Sequence, residues 1–199
     1  MKRIRIGMIA LLALAPLLSP STALAQGKFV VTPLAERKVA ELPAGPLYWR
    51  IENFTSLAQA GAAAGPWALA AESGGKAWLF TLGPPGGASA GGTKVAEVGP
   101  IPRLVAHEYL LRINEGSGPP GSTTPVHSHP GSEAFYVVAG ETTSRTADGV
   151  MRVAAGQSEP GHAPNTPMQV SSSGSTDLRS LVMFVVDANE PFSSPARLP

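Results

Sequence analysis

Apolar and polar residues alternate over short runs along much of this 199-residue chain, and turn-forming residues separate the runs. Leu47 to Phe54 alternates in part and carries three aromatic residues, which predicts a strand. Trp67 to Ala71 and Lys76 to Leu82 flank Glu72-Ser73-Gly74-Gly75, the pattern of a hairpin. Leu104 to Asn114 is a long predicted strand. One side of it carries Val105, His107, Tyr109, Leu111 and Ile113; the other carries Leu104, Ala106, Glu108, Leu110 and Arg112. The first set makes the better core face. Ala134 to Val138 follows as a strand, then Thr142 to Thr146 and Val150 to Ala154 pair across Ala147-Asp148-Gly149. Leu178 to Val186 is a strongly apolar last strand. Helical spacing is defensible once after the N-terminal leader. Ser56-Leu57-Ala58-Gln59 reads as a capping box before an alanine-rich run, which predicts a short helix over 56–64 closed by Gly65 and Pro66.

The remaining segments are weaker. Gln26 to Leu42 is mixed, with Val30-Val31 and Val39-Ala40 as short strands or an arm. Gly83 to Gly92 is rich in Pro, Gly, Ser and Ala and reads as a mobile loop. The 22 glycines and 20 prolines fall largely between apolar runs, and no internal repeat is visible. The predicted class is all-β, an antiparallel sandwich or barrel with one short helix.

Composition narrows the setting. Met1-Lys2-Arg3-Ile4-Arg5 is basic, Ile6 to Leu18 is apolar, and Ala23-Leu24-Ala25 precedes Gln26. That order is the pattern of a secretory signal peptide over 1–25, so the expected location is exported, periplasmic or secreted. The apolar run is interrupted by Pro16 and is short for a span, so no stable membrane anchor is expected after cleavage. Removing 1–25 lowers Lys+Arg from 15 to 12 against 14 Asp+Glu, which moves the formal charge from +1 to −2. A weakly acidic surface offers no electrostatic footing for nucleic acid. The chain has no cysteine, so neither disulfides nor thiol chemistry enter.

Candidate chemistry concentrates in Gly121 to Gly140, where two of the four histidines sit. His127 and His129 are two apart, so in an extended strand both imidazoles leave the same face. A turn at Pro130-Gly131 can return Glu133 beside them. Two histidines and a carboxylate on one face form a facial set that holds a divalent transition metal (Fe, Mn, Zn, Ni or Cu) with positions left open.

The spacing of Gly121, His127, His129, Glu133 and Gly140 resembles the first signature of the cupin superfamily at every fixed position. Gly156, followed by Ala163-Pro164-Asn165-Thr166-Pro167-Met168, resembles the second. The resemblance covers about 104–186. It implies an antiparallel jelly-roll β-barrel with an N-terminal strand extension, a barrel core over 101–190, an extension over 26–100 that adds strands to it, and a tail over 191–199. It also implies a metal held by His127, His129 and Glu133, with Tyr109, Phe135, Val137 and Met168 lining a pocket. One departure stands out. Where the second signature supplies a fourth ligand, a histidine, this chain has Met168, a thioether poorly suited to Mn(II) or Fe(II). His162 is the candidate replacement ligand, and His162 and His107 are the candidate proton-transfer groups. Asn165 stands where glycine is usual, and asparagine tolerates the left-handed backbone that such a turn needs. The implied partner is a small molecule. A metal-dependent oxygenase- or isomerase-like enzyme, a non-catalytic ligand-binding module and a structural role with the barrel as a dimerisation unit all remain open, and the habit of the family leaves room for a homodimer.

Overall fold

The structure is a computed structural model that describes residues 27–199; the expected signal peptide at 1–25 lies outside the described residues. In chain order the first strands are β1 (Val30–Val39), β2 (Leu47–Phe54), β3 (Ala68–Ser73), β4 (Lys76–Gly83) and β5 (Thr93–Ile101), with helix α1 (Leu57–Ala63) after β2. Next come β6 (Tyr109–Gly118), β7 (His127–Ser128), β8 (Gly131–Ala139), β9 (Glu141–Thr146) and β10 (Gly149–Ala154). The last are β11 (Ser158–Glu159), β12 (Gln169–Ser172), β13 (Leu178–Asp187) and β14 (Ser194–Pro195). Every strand pair is antiparallel.

Local chemistry accounts for the elements. The Ser56 hydroxyl accepts from the Gln59 amide at 3.2 Å and so caps α1, as its spacing predicts. Gly74 (φ 60°) and Gly75 (φ 72°) both take the left-handed conformation that a two-residue hairpin turn between β3 and β4 demands. Asn165 adopts φ 60°, the turn geometry that its side chain tolerates. The loop over 83–92 is tied down: the buried Glu52 carboxylate accepts from the Ser89 amide and, at 2.9 Å, from its hydroxyl, while Arg50 pairs with the same carboxylate at 3.1 Å. β5 is absent from the sequence pattern because its apolar positions are irregular and Gly99-Pro100 interrupts them.

The strands assemble in separate sheets of jelly-roll type. A five-stranded sheet runs β1-β6-β13-β8-β11, and three further sheets run β10-β9-β12, β14-β7 and β3-β4-β2-β5. Residues 30–39 thus form one continuous strand at the edge of the five-stranded sheet. β2 to β5 form a sheet of their own, and it packs on one side of the five-stranded sheet. Trp49, Ile51, Trp78 and Phe80 there meet Leu111, Ile113, Leu181, Met183 and Val185 in one buried cluster. Each large side chain removed from water here contributes roughly 1.5–3 kcal/mol before the entropy of ordering is subtracted. No helix among the described residues is long and apolar enough to cross a membrane.

Candidate functional site

Alternation along β6, β8 and β13 sends the odd residues of β6 and β13 into the buried cluster and the even ones to the opposite side. That opposite side is one wall of a cavity of about 540 Å³. From the five-stranded sheet the cavity receives Arg112, Asn114, Glu133, Phe135, Val182 and Phe184. Facing them are Thr124 to His127, His129 and Val170, and the C-terminal segment closes one side with Phe192 and Pro195. The wall is mostly apolar, with few polar groups, as in small-molecule sites.

Short backbone ladders hold the histidines. His127 exchanges both backbone hydrogen bonds with Met168, at 2.9 and 2.8 Å, and β7 pairs with β14. The His129 carbonyl accepts from the Asn165 amide at 2.7 Å, so the left-handed turn fixes the motif from behind. The rings of His127 and His129 stand 5.0 Å apart, edge to face. His129 joins Phe184 at 4.7 Å and Phe192 at 4.8 Å in a three-ring cluster, the two phenyl rings being 5.0 Å from each other. Each Nδ1 lies against a backbone carbonyl: His127 on Pro125 at 2.9 Å, His129 on Phe192 at 2.6 Å. A carbonyl can only accept, so Nδ1 carries the proton in both rings and each neutral ring keeps Nε2 as an acceptor. Burial, opposed by the hydrogen bond to the Phe192 carbonyl and aided by the nearby Arg112 charge, pushes His129 down to about 4, so it is neutral across the physiological range.

Glu133 sits on β8 with its carboxyl wholly buried. Its amide donates to the His162 carbonyl at 3.3 Å. Gly161 makes that approach possible: it takes φ 69°, and a Cβ there would collide with the Glu133 carbonyl. Glu133 Oε1 has no hydrogen-bond partner. Burial alone raises the carboxyl from 4.5 to about 8, so without an ion beside it the group is largely protonated at neutral pH.

The donor chemistry fits a divalent transition ion: two imidazoles with backbone-held Nδ1 protons and free Nε2 acceptors, and a buried carboxylate oxygen without a partner. Their spatial gathering is looser than the sequence suggests. Among the described residues no group of three or more His, Cys, Asp or Glu side chains is drawn together to hold a metal ion.

Five further expectations are corrected by position. His107 is exposed, and it lies before β6, which begins at Tyr109 rather than Leu104; 102–108 is the connection from β5. Tyr109 faces the buried cluster rather than the cavity, because the odd residues of β6 turn toward the β2–β5 sheet. Val137 shares the side of Glu133 and Phe135 but lies beyond the end of the cavity, packed with Val153 and Leu178. Met168 is buried, but its tie to His127 is through the backbone and it does not line the cavity. His162 is engaged elsewhere, with Nε2 2.6 Å from the Ser144 hydroxyl, and burial lowers its pKa. Phe135 does line the cavity. Arg112, Asn114, Phe184 and Phe192 line it as well and escaped the sequence reading. Arg112 fell on the less apolar side of its strand, and Phe192 sits in a tail with no periodicity.

Residues 117–184 match the family model described as the cupin domain. No curated protein matches the chain. Among solved structures, a DMSP lyase from Ruegeria pomeroyi aligns at 21% identity over 43% of this chain and 43% of its own, with a TM-score of 0.38. A polyketide cyclase from Streptomyces resistomycificus aligns at 20% identity over 45% of this chain and 62% of its own, TM-score 0.37. A cupin-like protein from Thermotoga maritima aligns at 16% identity over 43% of this chain and 64% of its own, TM-score 0.39. The aligned part thus spans less than half of the lyase and under two thirds of the other two.

Proposed function

We propose that this chain, whose residues 117–184 match the cupin domain model, is a cupin that binds a small organic molecule in the cavity beneath its histidine motif. His127, His129 and Glu133 are polar contacts of that site, and the same three would hold a divalent transition ion. The observation that carries this reading is the pairing of two Nε2 acceptors with an unpartnered, buried Glu133 oxygen on the wall of one apolar cavity. A buried polar atom without a partner costs about 1–3 kcal/mol. A ligand that satisfies it regains that free energy on binding.

The residues themselves define what the site can do. Protonated Glu133 is a hydrogen-bond donor, and the two rings are acceptors, so a hydroxyl or carbonyl group on the ligand finds complementary partners. Phe135, Phe184 and Phe192 give that end an apolar aromatic wall. A bound ion would supply Lewis-acid polarisation of a ligand oxygen. A metal-free ligand-binding site is the second reading, favoured by the absence of a gathered three-residue cluster among the described residues.

Elemental analysis of protein purified without chelators or affinity metals separates the two readings when set beside a His127→Ala/His129→Ala double variant. Near-stoichiometric metal in the first and its loss in the second is the expected result; equal content in both removes the metal. The cavity is tested independently with Nile red, an uncharged apolar dye. A folded Val182→Phe variant, which fills the wall, should lose dye binding, and undiminished binding would sink the cavity as the site. The basic-apolar leader adds export to the proposal. Mass spectrometry of the protein from its own cells should find a chain beginning at Gln26.

A further inference from the structure

Among the described residues, Arg112 is the one lysine or arginine on the cavity wall. It projects from β6 on the side away from the buried core and is one-fifth exposed. Three contacts fix its plane. Nε donates to the Asn114 side-chain oxygen at 2.9 Å. The guanidinium carbon lies 4.2 Å from the centre of the Phe192 ring, a cation–π stack. Nη1 is 3.4 Å from Glu36, whose side chain is 59% exposed on the edge strand β1. An ion pair this long to so exposed a carboxylate is weak, being screened by solvent.

A guanidinium presents five N–H donors in a rigid fork that suits a planar carboxylate. Here the hydrogen bond and the ion pair engage only Nε and Nη1. The stack on Phe192 and the bond to Asn114 remove most of the side-chain freedom that a ligand would otherwise have to restrict. The apolar wall from Val182, Phe135 and Phe184 belongs to the same cavity. A fixed cation beside an apolar wall selects a ligand with one anionic end and a hydrocarbon or aromatic body.

We infer that Arg112 is the specificity-determining residue of the cavity and that the ligand class is a carboxylate with an apolar body, its carboxylate paired with the Arg112 guanidinium. This rests on the small-molecule reading of the cavity and specifies its substrate class.

Competition between 4-phenylbutanoic acid and 4-phenylbutanamide tests it, each displacing Nile red or titrated calorimetrically into the protein. The two probes share an apolar body and differ in charge. The acid should bind at least 10-fold more tightly than the amide, and in Arg112→Met that preference should vanish while amide binding persists. Glu36→Ala removes the competing carboxylate and should tighten the acid roughly 2- to 5-fold without moving the amide, so the inference does not depend on how well Arg112→Met folds. Equal binding of acid and amide by the unmodified protein overturns the role of Arg112 and leaves the cavity reading intact. So does a preference that survives in folded Arg112→Met. Failure of both probes and of the dye to bind overturns the cavity reading and the inference together.

Discussion

On one side of the five-stranded sheet, Leu111, Ile113, Ala134, Leu181, Met183 and Val185 are sealed against Trp49, Trp78 and Phe80 of the β2–β5 sheet. On the other, the intervening residues Arg112, Asn114, Glu133, Phe135, Val182 and Phe184 look onto the cavity. The strands are the same; only the parity of the residue differs. The buried cluster of the sealed side is built from aliphatic and aromatic side chains, Tyr136 among them, whereas the cavity side carries a guanidinium and a buried carboxyl whose Oε1 has no partner. The sheet thus divides labour by alternation. One side supplies the stability that lets the other tolerate groups that are costly to bury.

The largest test of this division is Trp78→Ala. Trp78 is fully enclosed, stacks near Phe80 and tilts on Tyr136, and its Nε1 donates to the Ser73 carbonyl at 3.0 Å. Its removal is expected to cost about 3–5 kcal/mol in denaturant unfolding. The molecules that remain folded should keep Nile red affinity within about twofold, because the side chain lies on the sealed side. A stability loss under 1 kcal/mol would mean that the β2–β5 sheet does not anchor the fold.

The alternation that organises the molecule was partly legible in the sequence. Residues 47–54, the two hairpins, the capped helix, the last strand and the left-handed Asn165 all follow from local rules. What stands opposite each side of a strand did not. For β6 the more apolar set is the core face, as its pattern predicts for Leu111 and Ile113, but that core is the contact with the β2–β5 sheet, so Tyr109 does not enter the pocket, and the less apolar side carrying Arg112 and Asn114 faces the cavity. Periodicity ranks the two sides of a strand by hydrophobicity and is silent about which partner each meets. β5 was missed for the same reason: a strand interrupted by Gly99-Pro100 is recognised by its pairing with β2, a non-local fact. At the site, the spacing of His127, His129 and Glu133 was visible, but the carbonyls that fix the ring tautomers come from Pro125 and from Phe192, the latter 63 residues away.

Glu133→Gln probes the cost of the cavity side through pH. Glu133 goes from 4.5 when unfolded to about 8 when folded, so the folded state binds the extra proton between those values. The stability from this group is complete below 4.5 and is lost as pH rises to 8. His129 runs the other way: its pKa falls from 6.5 to about 4 on folding, so its contribution is present above 6.5 and lost as pH falls. The two slopes oppose each other from 4.5 to 6.5, and from 6.5 to 8 Glu133 acts alone. Metal-free protein should therefore lose stability across that upper window at up to about 1.4 kcal/mol per pH unit. Glu133→Gln, which mimics the neutral acid, should flatten it. Thermal unfolding after chelator dialysis reads both curves. Parallel curves from 6.5 to 8 would assign the slope to another group.

The finest comparison uses one residue type twice on one strand. Val185 is fully enclosed among the sealed cluster, and Val182, three positions earlier on β13, borders the cavity. Truncation to alanine removes the same two methyl groups from each, worth about 1.5 kcal/mol of transfer free energy. At Val185 the loss also opens a closed void whose lining forfeits its contacts, which brings the expected cost to about 2–3 kcal/mol. At Val182 the space merges with an existing cavity and no new void is created, so about 1 kcal/mol is expected. Val182→Ala should also widen the site and shift Nile red affinity, and Val185→Ala should leave that affinity unchanged. Equal stability losses in denaturant titration would show that the two sides are equally packed, and the parity of a residue on β13 would then carry no information about its role.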